Sequence, residues 1–217
     1  MGLLEIFNTS GLLDMFRSRP AIREPEELAQ FIDEQSAFLV QKGIYEYSRA
    51  RAGHYAKVLF KEAQFHEAIE RSRWSAYPLG LAMVGELVEG VLRPLAAEAD
   101  RGRQLAALQA LVLSVFDRYP TPAGLGEASW SQLRAELARR LQLFGLHPPK
   151  RAFTIAEPFA QAYFDLMPIH RQLRASEFPT LHGYLRATLC NIHEELTKRL
   201  DADAIASSLR APAGRSL

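Results

Sequence analysis

Between residues 45 and 74 the sequence sets arginines among aromatic side chains. They run Tyr45, Tyr47, Arg49, Arg51, His54 and Tyr55, then Arg71, Arg73 and Trp74. On a helix, Tyr47, Arg51 and Tyr55 fall at i, i+4 and i+8 and share one face, with His54 beside them. Guanidinium groups bind anions bidentately and aromatic faces stack. The stripe is therefore a candidate patch for an anionic ligand, a phosphate-bearing molecule or an acidic partner helix. The competing reading half-buries the tyrosines and pairs the arginines with Glu46, Glu67 and Glu70 on a solvated face.

Other constellations point to weaker chemistry. Glu62, His66 and Glu70 also follow i, i+4, i+8 spacing, but the Glu-x-x-His pairs of a di-iron bundle are missing. A surface histidine held between carboxylates is the plainer reading. His182 and His193 lie about 16 Å apart along one helix and cannot share an ion. Cys190 and His193 could meet at i, i+3. Leu189 and Ile192, however, place the thiol beside a buried stripe, where it is inert. His170 and Arg171 sit in an irregular segment, Met167-Pro168-Ile169-His170-Arg171, that could line a pocket or form a capped turn. There is no G-x-G-x-x-G, no P-loop, no G-x-S-x-G, no C-x-x-C and no H-E-x-x-H. No catalytic residue, metal or cofactor is assigned.

The composition narrows the class. With 48% hydrophobic residues in a chain of 217, a disordered chain is excluded. A single cysteine excludes an internal disulfide. Lys+Arg at 26 against Asp+Glu at 25 argues against a nucleic-acid-binding surface. That balance hides 21 Arg against 5 Lys, and the arginines of the 45–74 patch stand out locally. The most apolar stretch, Leu79 to Leu95, carries Glu86, Glu89, Arg93 and Pro94. It reads as a buried helix and not as a membrane span. Met1 to Phe7 lacks the features of a secretory signal, so a cytoplasmic location is expected.

Elements that would position these residues follow from periodicity. Pro25-Glu26-Glu27 starts a helix that runs to Gly43 or on to Gly53. A second helix covers Ala56 to Trp74 and is punctuated at Tyr77-Pro78. Leu79 to Val91 is apolar on most faces, and Gly80, Gly85 and Gly90 could admit a close neighbour. Gln104 to Tyr119 is amphipathic. Ser129 caps a helix ending at Gly145. Ile155 to Leu166 is short and interrupted by Pro158. Thr180 caps the clearest helix, striped by Leu181, Leu185, Leu189, Ile192, Leu196 and Leu200. Asp201 and Asp203 restart a last short helix. The expectation is an all-α fold, a single globular helical domain of about seven to nine helices over residues 21–210. Residues 1–20 form an amphipathic arm, GLLEIF echoed as GLLDMF, and 211–217 a flexible tail.

Tyr45-Glu46-Tyr47-Ser48-Arg49, Glu70-Arg71-Ser72-Arg73-Trp74, Tyr77-Pro78, Pro168-Ile169-His170 and the run from Glu194 to Asp201 resemble a family of uncharacterised bacterial all-helical proteins. The resemblance spans most of the chain and implies no activity. The function expected is a non-catalytic interaction or assembly protein with a protein partner, working through the Arg/Tyr/Trp patch. Two alternatives stand beside it. One is a protein that binds or hydrolyses a small anionic ligand. The other is a peripheral membrane protein attached through the N-terminal arm. No nucleic acid is expected, and a homodimer is one option for assembly.

Overall fold

Apolar residues recurring at helical spacing are realised as helices. The computed structural model describes residues 20–168 and 177–210, and among these the fold is all-α with no strand. Helix α1 (Pro25–Val40) passes without interruption into a π-helical turn, Gln41–Glu46, and then into α2 (Tyr47–Ala52). A 3₁₀ turn, Gly53–Tyr55, leads to α3 (Ala56–Leu59). The long α4 (Ala63–Leu92) follows, then α5 (Glu98–Asp117), α6 (Glu127–Leu141), α7 (Ala152–Ile155) and α8 (Ala160–Asp165). Helices α9 (Phe178–Arg199) and α10 (Ala202–Arg210) close the described chain. The 1–20 arm apart from Pro20, the 211–217 tail, and His170 with Arg171 lie outside the described residues.

Helix α4 is the hub, with α1, α5, α6, α7 and α9 packed around it. Its interior corrects the expected break at Tyr77-Pro78, because the helix runs straight through Pro78. An interior proline costs about 3 kcal/mol through its missing N–H and its ring clash. Leu81, Met83, Val84 and Val88, all fully buried beyond it, each contribute about 1.5–3 kcal/mol. Burial outweighs the proline penalty. The glycines expected to admit neighbours do so at two places. A Cβ at Gly80 would sit 3.1 Å from the Ser36 carbonyl oxygen, and one at Gly85 would sit 3.1 Å from Val112 and 3.3 Å from Phe144.

The charges inside this apolar helix are paired. Glu86 meets Lys150 Nζ at 2.7 Å and His147 Nε2 at 3.3 Å. Glu89 holds Arg93 in a bidentate fork at 2.6 and 2.7 Å, and Arg93 donates to the His147 carbonyl at 2.5 Å. The 145–151 loop is thereby clamped to α4. Among the described residues, no helix is long and apolar enough to cross a membrane.

Other boundaries differ from expectation for local reasons. The segment from Ala56 to Trp74 is broken at residues 60–62, and α4 starts at Ala63. Helix α6 starts at Glu127 after Gly126, so Ser129 lies inside it. Helix α9 starts after Glu177, so Thr180 lies within its first turn. The leucine stripe of α9 is buried from Leu181 to Leu196. Cys190 points about 130° from the centre of that stripe and is exposed, not beside the core. At the chain ends of the described fold, Ile22 N–H donates to the Arg199 carbonyl (2.8 Å) and Asp201 N–H to the Ile22 carbonyl (2.9 Å). This short parallel bridge ties the entry of α1 to the exit of α9.

Candidate functional site

The nine patch residues are not gathered in one place. Arg73 is buried at 2% exposure and forms an ion pair with Glu70. Its Nε and Nη2 have no acceptor among the described residues. Trp74 packs edge-on against Tyr77, Tyr119 and Trp130 at 5.3–5.9 Å between centroids. Beneath this cluster Asp33 accepts from the hydroxyls of Tyr77 (2.6 Å) and Tyr119 (2.9 Å). Burial, followed by the Asp33 charge, holds both phenols well above their ordinary range. Trp74 thus belongs to a clasp joining α1, α4, α6 and the turn that follows α5. Arg71 is exposed and donates to the Gly124 carbonyl at 3.3 Å. His54 is exposed on the 3₁₀ turn, and the Tyr55 side chain lies outside the described residues.

Tyr47 and Arg51 do share a face, as their i, i+4 spacing requires. That face turns to Glu177, with Tyr47 half-buried and Arg51 still largely exposed. Tyr47 Oη donates to Glu177 Oε2 and Arg51 Nη2 to Glu177 Oε1, and Glu177 is itself buried. Burial first, then the hydrogen bond to Glu177, pushes the Tyr47 phenol up to about 12.

Tyr45 and Arg49 have a different fate. They line an open groove of about 710 Å³ together with Glu46, Lys57, Phe60 and Lys61; Ala50, Gly53 and Ala56 form its small-residue stretch. Every lining residue comes from the elbow formed by the π-turn, α2, the 3₁₀ turn, α3 and the turn that follows it. Gly53 makes that elbow: its φ of +53° with ψ of −126° is a backbone state that L side chains rarely adopt. Phe60 sets the floor, edge-on to Tyr45 at 5.0 Å and to Phe65 of α4 at 5.0 Å. The floor is therefore anchored to the hub helix.

Electrostatically the groove carries three cations, Arg49, Lys57 and Lys61, against one carboxylate, Glu46. None of the three cations makes an ion pair among the described residues. Lys57 and Lys61 were outside the sequence patch, although two of the five lysines at i, i+4 spacing next to Arg49 and Arg51 were a readable signal. Glu177 had no such signal, since it lies 126 residues from Arg51.

The histidine-bearing constellations stay apart. Glu62 and His66 are exposed, and Glu70 turns to Arg73. His182 pairs with Glu157 at 3.0 Å and stacks on Phe178, while Cys190 and His193 are both exposed. No group of three or more His, Cys, Asp or Glu among the described residues could hold a metal ion. No family model, no curated protein and no solved structure matches this chain.

Proposed function

We propose that this protein is a non-catalytic interaction protein that receives an acidic segment of a partner protein in the Tyr45–Lys61 groove. The observation that carries the reading is the set of three cations, Arg49, Lys57 and Lys61, with no ion pair among the described residues, around a Tyr45/Phe60 floor. Arginine and aromatic side chains are enriched at interface cores. Unpaired cations would steer and orient an acidic partner. The groove's walls favour an extended partner over a small ligand. Small-molecule sites enclose most of their ligand, whereas this groove is built from one side only, by residues 45 to 61.

The test is fluorescence anisotropy with a labelled dodecapeptide alternating glutamate with leucine and phenylalanine. The expected result is saturable binding that weakens as salt is raised, because exposed charges are screened beyond about 8–10 Å at physiological ionic strength. Arg49→Glu with Lys57→Glu should weaken binding by about tenfold or more, with unchanged thermal unfolding. Wild-type protein that ignores the peptide refutes the reading. Protein that binds pyrophosphate but not the peptide overturns it in favour of a small anionic ligand.

A further inference from the structure

Helix α2 is short and has little of its own to hold it. It is six residues long, with a π-helical turn before it and the Gly53 turn after it. Its principal backbone neighbours are those same turns and α3, not the core helices. Beside the buried Ser48, two of its side chains, Tyr47 and Arg51, hydrogen-bond to the body of the fold, and both end on the same carboxylate, Glu177. Glu177 is a firm anchor. Its carbonyl accepts the Leu181 N–H at 3.0 Å, and Leu181 is fully buried in the α9 stripe.

Helix geometry connects this anchor to the groove. At about 100° per residue, Tyr47 and Arg51 lie within about 40° of each other, and Arg49 points about 180° from their mean direction. One face of α2 grips Glu177 while the opposite face presents Arg49 to the groove. A rotation or detachment of α2 cannot preserve one without moving the other.

We infer that Glu177 is a positioning residue that latches α2 through Tyr47 and Arg51, and so sets the orientation of Arg49 in the partner groove. The inference rests on the groove being the partner site. Carboxylate acceptors make the stronger, charge-assisted hydrogen bonds, and a buried carboxylate releases its partners only at a cost. The Tyr47 phenol, raised to about 12, remains a donor throughout the neutral range. The groove's shape is thereby coupled to the first turn of α9, an element that contributes no residue to its lining.

The experiment combines Glu177→Gln, Tyr47→Phe and the double variant in the full-length protein, read two ways. Affinity for the glutamate-rich dodecapeptide should fall about fivefold or more in Glu177→Gln. The double variant should be no weaker than Glu177→Gln alone, since residues in one network are not additive. Amide hydrogen exchange over residues 47–59 should accelerate about tenfold while residues 185–196 keep their protection. Wild-type affinity together with wild-type exchange in Glu177→Gln overturns the latch. Acceleration that extends through 185–196 also overturns it, because Glu177 is then a general fold residue. If wild-type protein fails to bind the peptide, the groove reading falls, and the exchange measurement still decides whether α2 is latched.

Discussion

Replacing Arg73 by methionine should stabilise this protein. The guanidinium is buried at 2% exposure on the hub helix, and among the described residues its one ionic partner is Glu70, which remains partly in solvent. Nε and Nη2 have no acceptor among the described residues. A buried donor left unsatisfied costs about 1–3 kcal/mol, so the two together cost about 2–6 kcal/mol. Losing an ion pair with a partly exposed partner forfeits about 1 kcal/mol. Methionine keeps most of the packing volume of the arginine stem. The net expectation for Arg73→Met is a gain of about 1–5 kcal/mol. For a chain of this length that raises Tm by about 2–4 °C per kcal/mol. Arg73→Ala, which also removes the stem, should instead be destabilised by about 2 kcal/mol through the lost packing. Urea unfolding followed by circular dichroism gives both values, and an unchanged m confirms that the same surface is exposed. A loss of more than about 1 kcal/mol in Arg73→Met refutes the reasoning: the guanidinium would then be fully partnered, and its charge would be part of what holds α4 in place.

Two further outcomes follow from the same packing. A Cβ at Gly43 would collide with the Tyr163 hydroxyl and lie 3.0 Å from the Tyr184 ring, and both phenols donate to the Leu39 carbonyl at 3.2 Å. Gly43→Ala should therefore cost about 1–3 kcal/mol by overpacking, and a urea midpoint equal to wild type would contradict it. Alkaline titration should be biphasic. Burial, the largest cause in each case, holds Tyr47 and Tyr184 up to about 12 and Tyr77, Tyr119 and Tyr163 above the ordinary range. Unfolded phenols ionise near about 10. Folded phenols keep their protons longer, so their contribution to stability is complete below about pH 10 and is lost as pH climbs through about 12. Phenolate absorbance should show few of the seven tyrosines ionised at about pH 11 and the rest released with the helical signal. A single curve near pH 10 for all seven, with the helices intact, would falsify the burial.

How much of this was legible depends on whether the cause is local. The stripe from Leu181 to Leu196 needs only helical spacing to predict a buried face, and it is buried. The path from Pro25 towards Gly53 is likewise helical, although the π-turn at Gln41–Glu46 left no mark in the pattern. Proline punctuation failed at Pro78, because the penalty is a local quantity and the burial that overrides it is not. The Arg/aromatic patch failed as a unit for the same reason. Spacing placed Tyr47 and Arg51 on one face but could not say that the face would meet Glu177, which is remote in sequence.

By itself the sequence determined an all-α fold and its main helical stretches, because periodicity is a property of neighbours along the chain; it offered Gly80, Gly85 and Gly90 alike as close approaches, and the packing chose the first two. Only the tertiary structure decided which arginines remain available. It buried Arg73, spent Arg51 on Glu177, and left Arg49 facing Lys57 and Lys61 across an aromatic floor. A charge is free or satisfied according to what lies within a few ångströms of it, and in a folded chain those neighbours come from distant positions.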